Sequence, residues 1–486
     1  MMQFYNTLTH KKEDFIPREP GKVQMYVCGI TAYDLCHIGH ARAAVVFDVL
    51  VRFLRHAGFE VIFARNFTDV DDKIINRARQ LGRPSEEVAE HYIEAFYQDM
   101  DRLGVLRADI EPKATEHIQD MQTLIQELLD KGHAYVSPSG DVYFRVRSFP
   151  DYGRLSGRNI EELKSGARIE PDEDKEDPLD FALWKRAKPD EPAWPSPWGD
   201  GRPGWHIECS AMSERYLGLP LDIHGGGQDL AFPHHENERA QTTAAKGIEF
   251  VNYWLHNGFV KVSSEKMSKS LGNFVTIRDI YEHYLPETLR FFLLSKHYRS
   301  PLDFTWEGMD EAEKGLKRIY QTKLLLESTL ERAKWSQAPL PEEIVSSLNH
   351  NIEQWKASLE DDLNTAGALG YAFNLVRLAN RILEDKSLSK SEQARETMSR
   401  TLKAISELGQ VLGLFGQDSQ AFLTQLRELK AKRKGIDPAE VDDLIRQRQQ
   451  ARHNKAFDQA DAIRDRLSDM GIEIQDTPEG TKWDVI

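Results

Sequence analysis

Cysteine is scarce in this sequence, and long apolar runs are missing from it. Of the 486 residues only three are cysteines, Cys28, Cys36 and Cys209. A set this sparse and odd in number excludes a disulfide framework and leaves metal ligation open. No apolar run approaches the roughly 20 residues of a membrane span, and the opening residues MMQFYNTLTHKKEDF lack the apolar core of a signal peptide. We therefore expect a cytoplasmic protein with no membrane partner.

Positive charge is also in short supply. The chain has 63 Lys and Arg residues against 78 Asp and Glu, which gives a formal net charge of -15. Nonspecific coating of nucleic acid needs a surplus of Lys and Arg, so any RNA contact must use local basic patches. The length is sufficient for about three domains, each with its own core.

Two strand-like segments flank a helical one near the start of the chain. The letters KVQMYVC at 22–28 and the run from Phe59 to Phe67 are typical of strands, and apolar residues recur at helical spacing from Ile38 to Ala57. A strand, a helix and a second strand in this order form the repeating unit of a parallel sheet. This part of the chain therefore predicts the first half of a nucleotide-binding fold.

The rest of the chain divides by composition. Pro, Gly and acidic residues accumulate between about 134 and 203, which indicates an insertion built partly from loops, and mostly helical patterns follow from Tyr281 to Leu383. We therefore predict an α/β protein with a Rossmann-like parallel sheet, an insertion, an α-helical bundle and a small C-terminal domain. The predicted boundaries are 1–130 for the first half of the sheet domain, 131–203 for the insertion, 204–260 for the second half with a metal site, 261–310 for a basic loop and the region after it, 311–418 for the bundle and 419–486 for the C-terminal domain.

The letters His37-Ile38-Gly39-His40 stand where the first predicted strand gives way to a helix. Backbone N–H groups and the helix dipole favour phosphate at such a turn, and Gly39 allows a nucleotide to approach closely. Two imidazoles one turn apart can also donate hydrogen bonds to phosphate oxygens as charge builds. Taken alone, the same letters fit an ordinary polar helix start.

A second basic motif, Lys266-Met267-Ser268-Lys269-Ser270, lies far downstream in a predicted flexible loop. Its lysines and hydroxyls suit a triphosphate, although in isolation a solvated charged loop explains it equally well. The two motifs together resemble the hallmark pair of class I aminoacyl-tRNA synthetases, and neither carries a substitution. That resemblance implies ATP binding and catalysis by His37, His40, Lys266 and Lys269, with Ser268 and Gly39 also at the nucleotide.

Four residues of metal-ligating types occur in separate parts of the sequence: Cys28, Cys209, His234 and Glu238. His234 and Glu238 are spaced i, i+4, which places them on one face if PHHENERAQ is helical. The alternative is that the cysteines are small buried residues and that the His-rich run is a surface.

The letters around these residues resemble the cysteinyl-tRNA synthetases in particular. The matching segments are YVCGITAYDLCHIGHAR, WHIECSAM and HGGGQDLAFPHHENE. The resemblance covers essentially the whole chain, with Ile30 and Ala32 departing from the commoner Pro and Val. It implies that Cys28, Cys209, His234 and Glu238 bind one Zn²⁺ and that the sulfur of the cysteine substrate joins the metal. It also implies a class I synthetase fold, with a stem-contact region in 261–310 and an anticodon-binding domain at the end.

Further candidates lie in segments that match this family. Gly227 allows a ligand to approach the backbone closely, and Asp229 offers a carboxylate to ribose hydroxyls or to the substrate ammonium group. Thr68 and Trp205 are expected to line the pocket for the amino acid. Ordinary polar or packing roles remain open for all four. The sequence does not separate the roles of three further histidines, His206, His224 and His256.

The C-terminal segment holds a local basic strip, RQRQQARHNK at 446–455, followed by Trp483. A strip of this kind can hold a phosphate backbone, and the tryptophan can stack on an unpaired base. The alternative is a solvated helix and a tryptophan packed within its own domain.

These patterns predict a monomeric enzyme that activates L-cysteine with ATP, accompanied by Mg²⁺, and transfers it to the 3′-terminal ribose of tRNA(Cys). Two alternatives remain open. One is a ligase that places activated cysteine on an amine, and the C-terminal domain speaks against it. The other is a zinc-stabilised RNA-binding protein without catalysis, and the two intact motifs speak against that.

Overall fold

The computed structural model describes residues 1–159, 174–262, 265–266, 275–331, 335–477 and 480–486. Its centre is a four-stranded parallel sheet with the order β10-β9-β3-β4. The predicted α/β fold with a parallel sheet is therefore confirmed. The strands of this sheet are β3 (Lys22–Val27), β4 (Glu60–Arg65), β9 (Leu221–Gly227) and β10 (Val251–Asn257).

The sheet has a topological switch point between β3 and β9. The chain runs outward from β3 to β4 on one side and from β9 to β10 on the other, and β3 pairs with both β4 and β9. At such a point the two crossover connections diverge and leave a crevice at the carboxyl ends of the strands. Ligands of open parallel sheets bind in that crevice, so the search for a site begins there.

The helix α1 (Ile38–His56) connects β3 to β4, as the apolar spacing predicts. Its middle, from Val45 to Val51, is buried on all sides, because the helix packs against the sheet and also against later helices. Gly58 follows the helix with a φ of 93°, a conformation that glycine adopts without strain. Sequence periodicity was sufficient to predict this helix because apolar residues recur along it at helical intervals.

The segment between the two halves of the sheet contains more regular structure than its composition indicates. A four-stranded antiparallel sheet with the order β5-β6-β7-β8 occupies part of the region that we expected to be built partly from loops. Its strands are only three to six residues long and are separated by Pro and Gly, so no alternation is long enough to be recognised. The elements of this segment are α2 (Asp72–Leu81), α3 (Ser85–Arg102), α4 (Ile118–Asp130), β5 (Ala134–Val136), β6 (Val142–Phe144), β7 (Phe181–Arg186) and β8 (Gly201–Pro203).

Short elements complete the half of the chain that contains the parallel sheet. An N-terminal hairpin, which the sequence did not predict, packs beside β10, and a small sheet with the order β12-β11-β13 follows the parallel one. The elements are β1 (Gln3–Asn6), β2 (Lys11–Asp14), α5 (Trp205–Leu217), α6 (Glu236–Lys246), β11 (Val260–Val262), β12 (Glu265–Lys266), α7 (Ile277–Tyr281), α8 (Pro286–Leu294) and β13 (Leu302–Phe304).

A helical bundle and a small C-terminal unit complete the fold. The bundle shares one continuous apolar core with the parallel sheet, whereas the C-terminal unit has a separate small core. No described helix is both long and apolar enough to span a membrane. The elements are α9 (Trp306–Leu330), α10 (Glu342–Glu360), α11 (Thr365–Glu384), α12 (Glu392–Leu412), α13 (Ser419–Arg433), α14 (Pro438–His453), α15 (Phe457–Asp469), β14 (Ile472–Thr477) and β15 (Gly480–Val485).

Candidate active site

The turn before α1 lies at the crevice and is closed by its own side chains. His37 is the N-cap of the helix, and its Nδ1 accepts hydrogen bonds from the amides of Gly39 (3.0 Å) and His40 (3.4 Å). The Nδ1 of His40 accepts in turn from the amide of His37 at 3.3 Å. The amides of Gly39 and His40 thus donate within the turn, and phosphate binding at this helix start stays a prediction.

The two imidazoles of this turn are oriented as a pair of hydrogen-bond donors. Their rings stack with centroids 3.7 Å apart and planes 21° apart. Burial lowers the pKa of His37 to about 4 and the pKa of His40 well below its ordinary value, so both rings are neutral at pH 7. Since each Nδ1 accepts, the single proton of each ring lies on Nε2. The turn therefore offers neutral N–H donors rather than positive charge.

Cys28, Cys209, His234 and Glu238 converge beside this turn, and their ligand atoms all lie within 4.8 Å of one another. The sulfurs of Cys28 and Cys209 are 3.5 Å apart, and Cys28 Sγ is 3.3 Å from Glu238 Oε1. His234 Nε2 lies 3.6 Å from Cys209 Sγ and 3.0 Å from Glu238 Oε1. The sequence-predicted metal ligands thus share one location, and three of the four are buried.

Different elements carry these four side chains to the same point. Cys28 directly follows β3, and its amide donates to the carbonyl of Gly225 in β9 at 3.3 Å. Cys209 lies in α5, and Glu238 lies in the first turn of α6. His234 belongs to a single wide turn, Ala231–His235, that leads into α6, so the i, i+4 spacing does place His234 beside Glu238.

Two of the four side chains in the cluster are held in the anionic form. Burial acts to raise the pKa of the Cys209 thiol, but hydrogen bonds from Cys28 and His234 outweigh burial and lower it to about 6. Burial also opposes ionisation of Glu238, yet His224 and His234 hold the pKa of its carboxyl well below the usual range. A thiolate and a carboxylate are therefore available as ligands at neutral pH.

A second group of donors overlaps the first. Cys28, His224, His235 and Glu238 also lie within 4.8 Å of one another. This group contains Cys28 and Glu238 but not Cys209. His224 Nε2 is already 2.8 Å from Glu238 Oε2, a contact that orients the carboxylate.

A chain of hydrogen bonds supports the cluster from behind. His235 Nδ1 is 2.7 Å from His256 Nε2, and His256 Nδ1 is 2.8 Å from the hydroxyl of Thr7. His206 Nδ1 is 2.9 Å from Nδ1 of the predicted ligand His234. The histidines whose roles the sequence did not separate are thus next to the ligands. Thr7 was missed because its partner His256 lies 249 residues away, and His235 was missed because no local pattern distinguishes it from the adjacent His234.

The predicted amino-acid pocket residues surround the same point. The ring of Trp205 stacks on His234 with centroids 4.2 Å apart. The hydroxyl of Thr68 is buried and donates to Glu208 Oε2 at 2.6 Å. Glu208 was not predicted, although it directly precedes Cys209 and is fully buried. Burial raises the pKa of its carboxyl well above the usual value.

Asp229 lies just beyond β9, at the mouth of the crevice, and is exposed. A Cβ at Gly227 would lie 2.4 Å from Asp229 Oδ1, so only glycine fits while that carboxylate keeps its position. Lys266 belongs to β12, whereas Ser268 and Lys269 lie outside the described residues. The second nucleotide motif therefore stays a prediction.

Three arginines of the C-terminal basic strip, Arg446, Arg448 and Arg452, are paired with carboxylates. Arg448 donates to both carboxylate oxygens of Asp476 at 2.8 and 2.9 Å, and Arg452 contacts the same carboxylate at 2.5 Å. Of the two readings left open for Trp483, the structure supports packing within its own domain. Its ring is 8% exposed in the core of its own unit, and its Nε1 donates to Asp442 at 2.9 Å.

Comparison with known proteins gives the class of this fold and site. Residues 14–314 match the family model "tRNA synthetases class I (C) catalytic domain", residues 354–416 match a DALR domain and residues 438–483 match a "Cysteinyl-tRNA ligase anticodon binding domain". A solved methionyl-tRNA synthetase of Mycobacterium tuberculosis superposes with a TM-score of 0.60 at 16% identity, covering 86% of this chain and 95% of that one. The fold is that of a class I aminoacyl-tRNA synthetase.

Relatives that match the chain over its whole length identify the family within this class. The chain is 63% identical over 484 residues to the Cysteine–tRNA ligase of Oleidesulfovibrio alaskensis and 64% identical over 485 residues to that of Nitratidesulfovibrio vulgaris, with 100% of both chains covered in each case. Identity to the Cysteine–tRNA ligase of Lawsonia intracellularis is 56%, again over the whole of both chains. The chain belongs to the cysteine–tRNA ligase family, which confirms the resemblance seen in its motifs.

Proposed function

We propose that this chain activates L-cysteine with ATP and transfers the cysteinyl group to the 3′-terminal ribose of tRNA(Cys). The observation that carries the proposal is the convergence of Cys28, Cys209, His234 and Glu238 beside the His37–His40 turn. A metal-ligand cluster and a turn suited to a nucleotide then lie at the same crevice, where they would bind the amino acid and ATP. The family to which the chain belongs supports the same substrates.

The donor set fits zinc. Tetrahedral bonds of about 2.0–2.3 Å to N, O and S ligands imply ligand-to-ligand separations of about 3.3–3.8 Å. Three separations in the cluster, of 3.3, 3.5 and 3.6 Å, lie within this range, and the His234–Glu238 contact, at 3.0 Å, is shorter. We assign one Zn²⁺ to these four residues rather than to the overlapping group with His224 and His235. Bound zinc supplies a strong preference for thiolate over hydroxyl, which distinguishes cysteine from serine.

The remaining residues bind and orient the reactants. The cysteine carboxylate attacks the α-phosphate of ATP, and pyrophosphate leaves. The Nε2–H groups of His37 and His40 donate to the phosphate oxygens as negative charge builds there, a contact that strengthens in the transition state. Lys266, Ser268 and Lys269 are assigned to the triphosphate together with Mg²⁺, and Gly39, Gly227 and Asp229 to the nucleoside side of the crevice.

The amino-acid end of the crevice is assigned to Thr68 and Trp205. Because the Thr68 hydroxyl donates its proton to Glu208, its oxygen keeps lone pairs for a donor such as the substrate ammonium group. Asp229 is a second acceptor for the same group. The Trp205 ring, held against His234, forms an apolar wall. These contacts select a small amino acid without a further polar side chain.

The other segments are assigned to RNA. We assign 261–310 to the basic loop and stem contact, 311–418 to the bundle and 419–486 to anticodon recognition, while 1–130 and 204–260 form the catalytic domain around the insertion 131–203. A monomer in the cytoplasm is the proposed form. The C-terminal match to an anticodon-binding domain speaks against a ligase that uses an amine as acceptor.

The deciding experiment is pyrophosphate exchange with cysteine and with serine, before and after treatment with a chelator. We expect exchange with cysteine, none with serine, and loss on chelation that added Zn²⁺ reverses. Equal exchange with serine, or exchange that chelation leaves unchanged in metal-free protein, contradicts the assigned metal role. Charging of a tRNA(Cys) transcript then tests the acceptor.

A further inference from the structure

Glu208 is a fully buried carboxyl group that directly precedes the predicted metal ligand Cys209. Its Oε2 accepts a hydrogen bond from the Thr68 hydroxyl at 2.6 Å. Its Oε1 is buried and has no hydrogen-bond partner among the residues that the structure describes. A buried acceptor without a partner is unfavourable, and an apolar side chain would fill the same space without that cost. The bond to Thr68 is therefore the feature that accounts for a carboxyl at this position.

The helix α5 carries Glu208 beside two residues of the candidate site. Trp205, Glu208 and Cys209 are spaced i, i+3 and i+4, which places them next to one another on one face of the helix. Trp205 stacks on His234, and Cys209 Sγ is 3.6 Å from His234 Nε2. The same turn of α5 thus provides a metal ligand, an apolar wall of the amino-acid pocket and the acceptor for Thr68.

Thr68 is also held through its backbone. Its amide donates to the carbonyl of Ile30 at 3.1 Å, and its carbonyl accepts from the amide of Ala32 at 3.1 Å. Both partners belong to the segment that directly follows the predicted ligand Cys28. Backbone bonds therefore connect Thr68 to the segment of one cysteine ligand, and Glu208 connects its side chain to the helix of the other. These contacts fix the Thr68 hydroxyl relative to the metal cluster.

The direction of the Thr68 hydroxyl bond decides what the hydroxyl offers to a ligand. A hydroxyl has one proton and two lone pairs, and the proton of Thr68 is donated to Glu208. The lone pairs are then available to a donor in the crevice. In cysteine the sulfur and the ammonium nitrogen are attached to adjacent carbon atoms, so a site that holds the sulfur at the metal needs an acceptor at one defined distance. An acceptor that is fixed in advance also reduces the entropy lost on binding.

We propose that Glu208 is a positioning residue that holds the Thr68 hydroxyl as an acceptor for the ammonium group of cysteine, so that the site recognises an amino thiol rather than a thiol alone. The inference rests on the proposed function. Because Glu208 has no exposed surface, it acts through Thr68 and not by contact with the substrate.

The test uses two ligands that differ only in the ammonium group, L-cysteine and 3-mercaptopropionate. Glu208→Leu should raise the KM for cysteine in pyrophosphate exchange about tenfold, the usual contribution of a hydrogen bond to a charged group. The inhibition constant of 3-mercaptopropionate should stay within about twofold, because this ligand has no group that Thr68 could accept from. The value of kcat should change less than KM, since the ammonium contact is present in the ground state and in the transition state alike.

Two further variants show whether the effect passes through Thr68. Thr68→Val keeps the branched shape but lacks the hydroxyl, and it should weaken cysteine binding by about the same factor as Glu208→Leu. The double variant should lose no more than Thr68→Val alone, because both changes remove one contact. Glu208→Gln keeps an acceptor oxygen for Thr68 and should bind cysteine nearly as the unmodified protein does. Zinc content and thermal unfolding midpoints verify that the cluster and the fold are intact in each variant.

Four results overturn the role of Glu208. They are an unchanged KM for cysteine in Glu208→Leu, an equal loss of 3-mercaptopropionate affinity, additive losses in the double variant, and a loss in Glu208→Gln as large as that in Glu208→Leu. Normal cysteine affinity of Thr68→Val also overturns it, and that result does not depend on the folding of any Glu208 variant. Absence of cysteine-dependent exchange in the unmodified protein rejects the proposed function itself, whereas exchange together with unaffected variants rejects only the role of Glu208.

Discussion

At the scale of single residues, the metal cluster concentrates opposite charges in a buried space. Cys209, His234 and Glu238 are each at most 2% exposed. Burial opposes the charge of all three groups, and each is charged through its neighbours: the pKa of His234 is raised to about 10, chiefly by Glu238, which outweighs burial. Binding of a divalent cation would release protons from this histidine and from Cys28, so metal affinity should rise with pH.

Substitution of a single sulfur tests the cluster. Cys209→Ser should lower metal affinity by more than about 100-fold, because a hydroxyl is a poor zinc ligand and loss of a supporting group alone costs about 10–100-fold. The KM for cysteine should rise, and ATP binding should stay nearly intact. Atomic absorption measures the metal content, and the kinetics of pyrophosphate exchange measure the effects on cysteine and ATP. Cys36→Ala is the matched control, since Cys36 is also 2% exposed but belongs to neither donor group. Equal loss of metal in both variants would contradict the assignment.

A buried neutral histidine makes stability depend on pH. Burial lowers the pKa of His256 from 6.5 to about 3. Between these values the unfolded chain binds the proton and the folded chain does not, so the free energy of unfolding falls as pH falls, by up to about 1.4 kcal/mol per pH unit. His256→Gln should flatten this slope between pH 6 and pH 4, roughly, as measured by urea unfolding. Parallel slopes for the two proteins would show that His256 is not the responsible group.

At the scale of elements, the start of α1 combines a structural and a chemical role in one side chain. His37 caps the helix through Nδ1 and is proposed to contact phosphate through Nε2. Its neighbour α7 is attached to the same turn through the amide of Ile277. A change at His37 therefore affects both helix stability and the proposed chemistry, and a suitable pair of variants separates the two.

His37→Asn keeps a capping acceptor but removes the ring N–H, whereas His37→Ala removes both. We expect both variants to slow cysteine activation by about 10²–10³, the usual cost of one transition-state donor. Only the alanine variant should also lose about 1 kcal/mol of stability, because asparagine is a good N-cap. Pyrophosphate exchange and chemical unfolding measure the two effects. Full activity of the asparagine variant would assign His37 to capping alone.

Sequence patterns predicted the parts of the site that depend on residue type and local spacing. The i, i+4 pair His234 and Glu238 and the strand–helix turn at His37 are of this kind. The partners Glu208 and Thr7 were not predictable, because their contacts depend on how distant elements pack. The two readings of Trp483 stayed open for the same reason, since composition does not distinguish an exposed ring from one that packs with Val441 and Leu467.

At the scale of the whole molecule, the described buried residues form three apolar clusters: two large ones that meet at opposite faces of the parallel sheet and a small one in the C-terminal unit. The parallel sheet and the bundle share a continuous core, and the buried ion pair between Asp48 and Arg290 links α1 to α8 within it. Arg290 also donates to the carbonyl of Leu412 at the end of α12 at 2.7 Å. The C-terminal unit has its own small core. Unfolding should therefore occur in two steps rather than one.

Calorimetry tests this division. Leu467 is fully buried in the C-terminal core, and Leu467→Ala should cost about 2–5 kcal/mol in that unit. The smaller transition should move to lower temperature while the larger one stays in place. Leu316→Ala, at a fully buried position of α9 in the shared core, should do the reverse. A single transition that moves with either substitution would show that the two parts unfold together.

The low solvent exposure of the three native thiols has a practical consequence. Cys36 and Cys209 are buried, Cys28 is half-buried, and all three lie in the catalytic half of the chain. A cysteine introduced at an exposed position of the C-terminal unit, such as Gln447, would react first with a maleimide dye. Fluorescent labels could thus report on the motion of that unit in the otherwise unmodified protein, without replacement of any native sulfur.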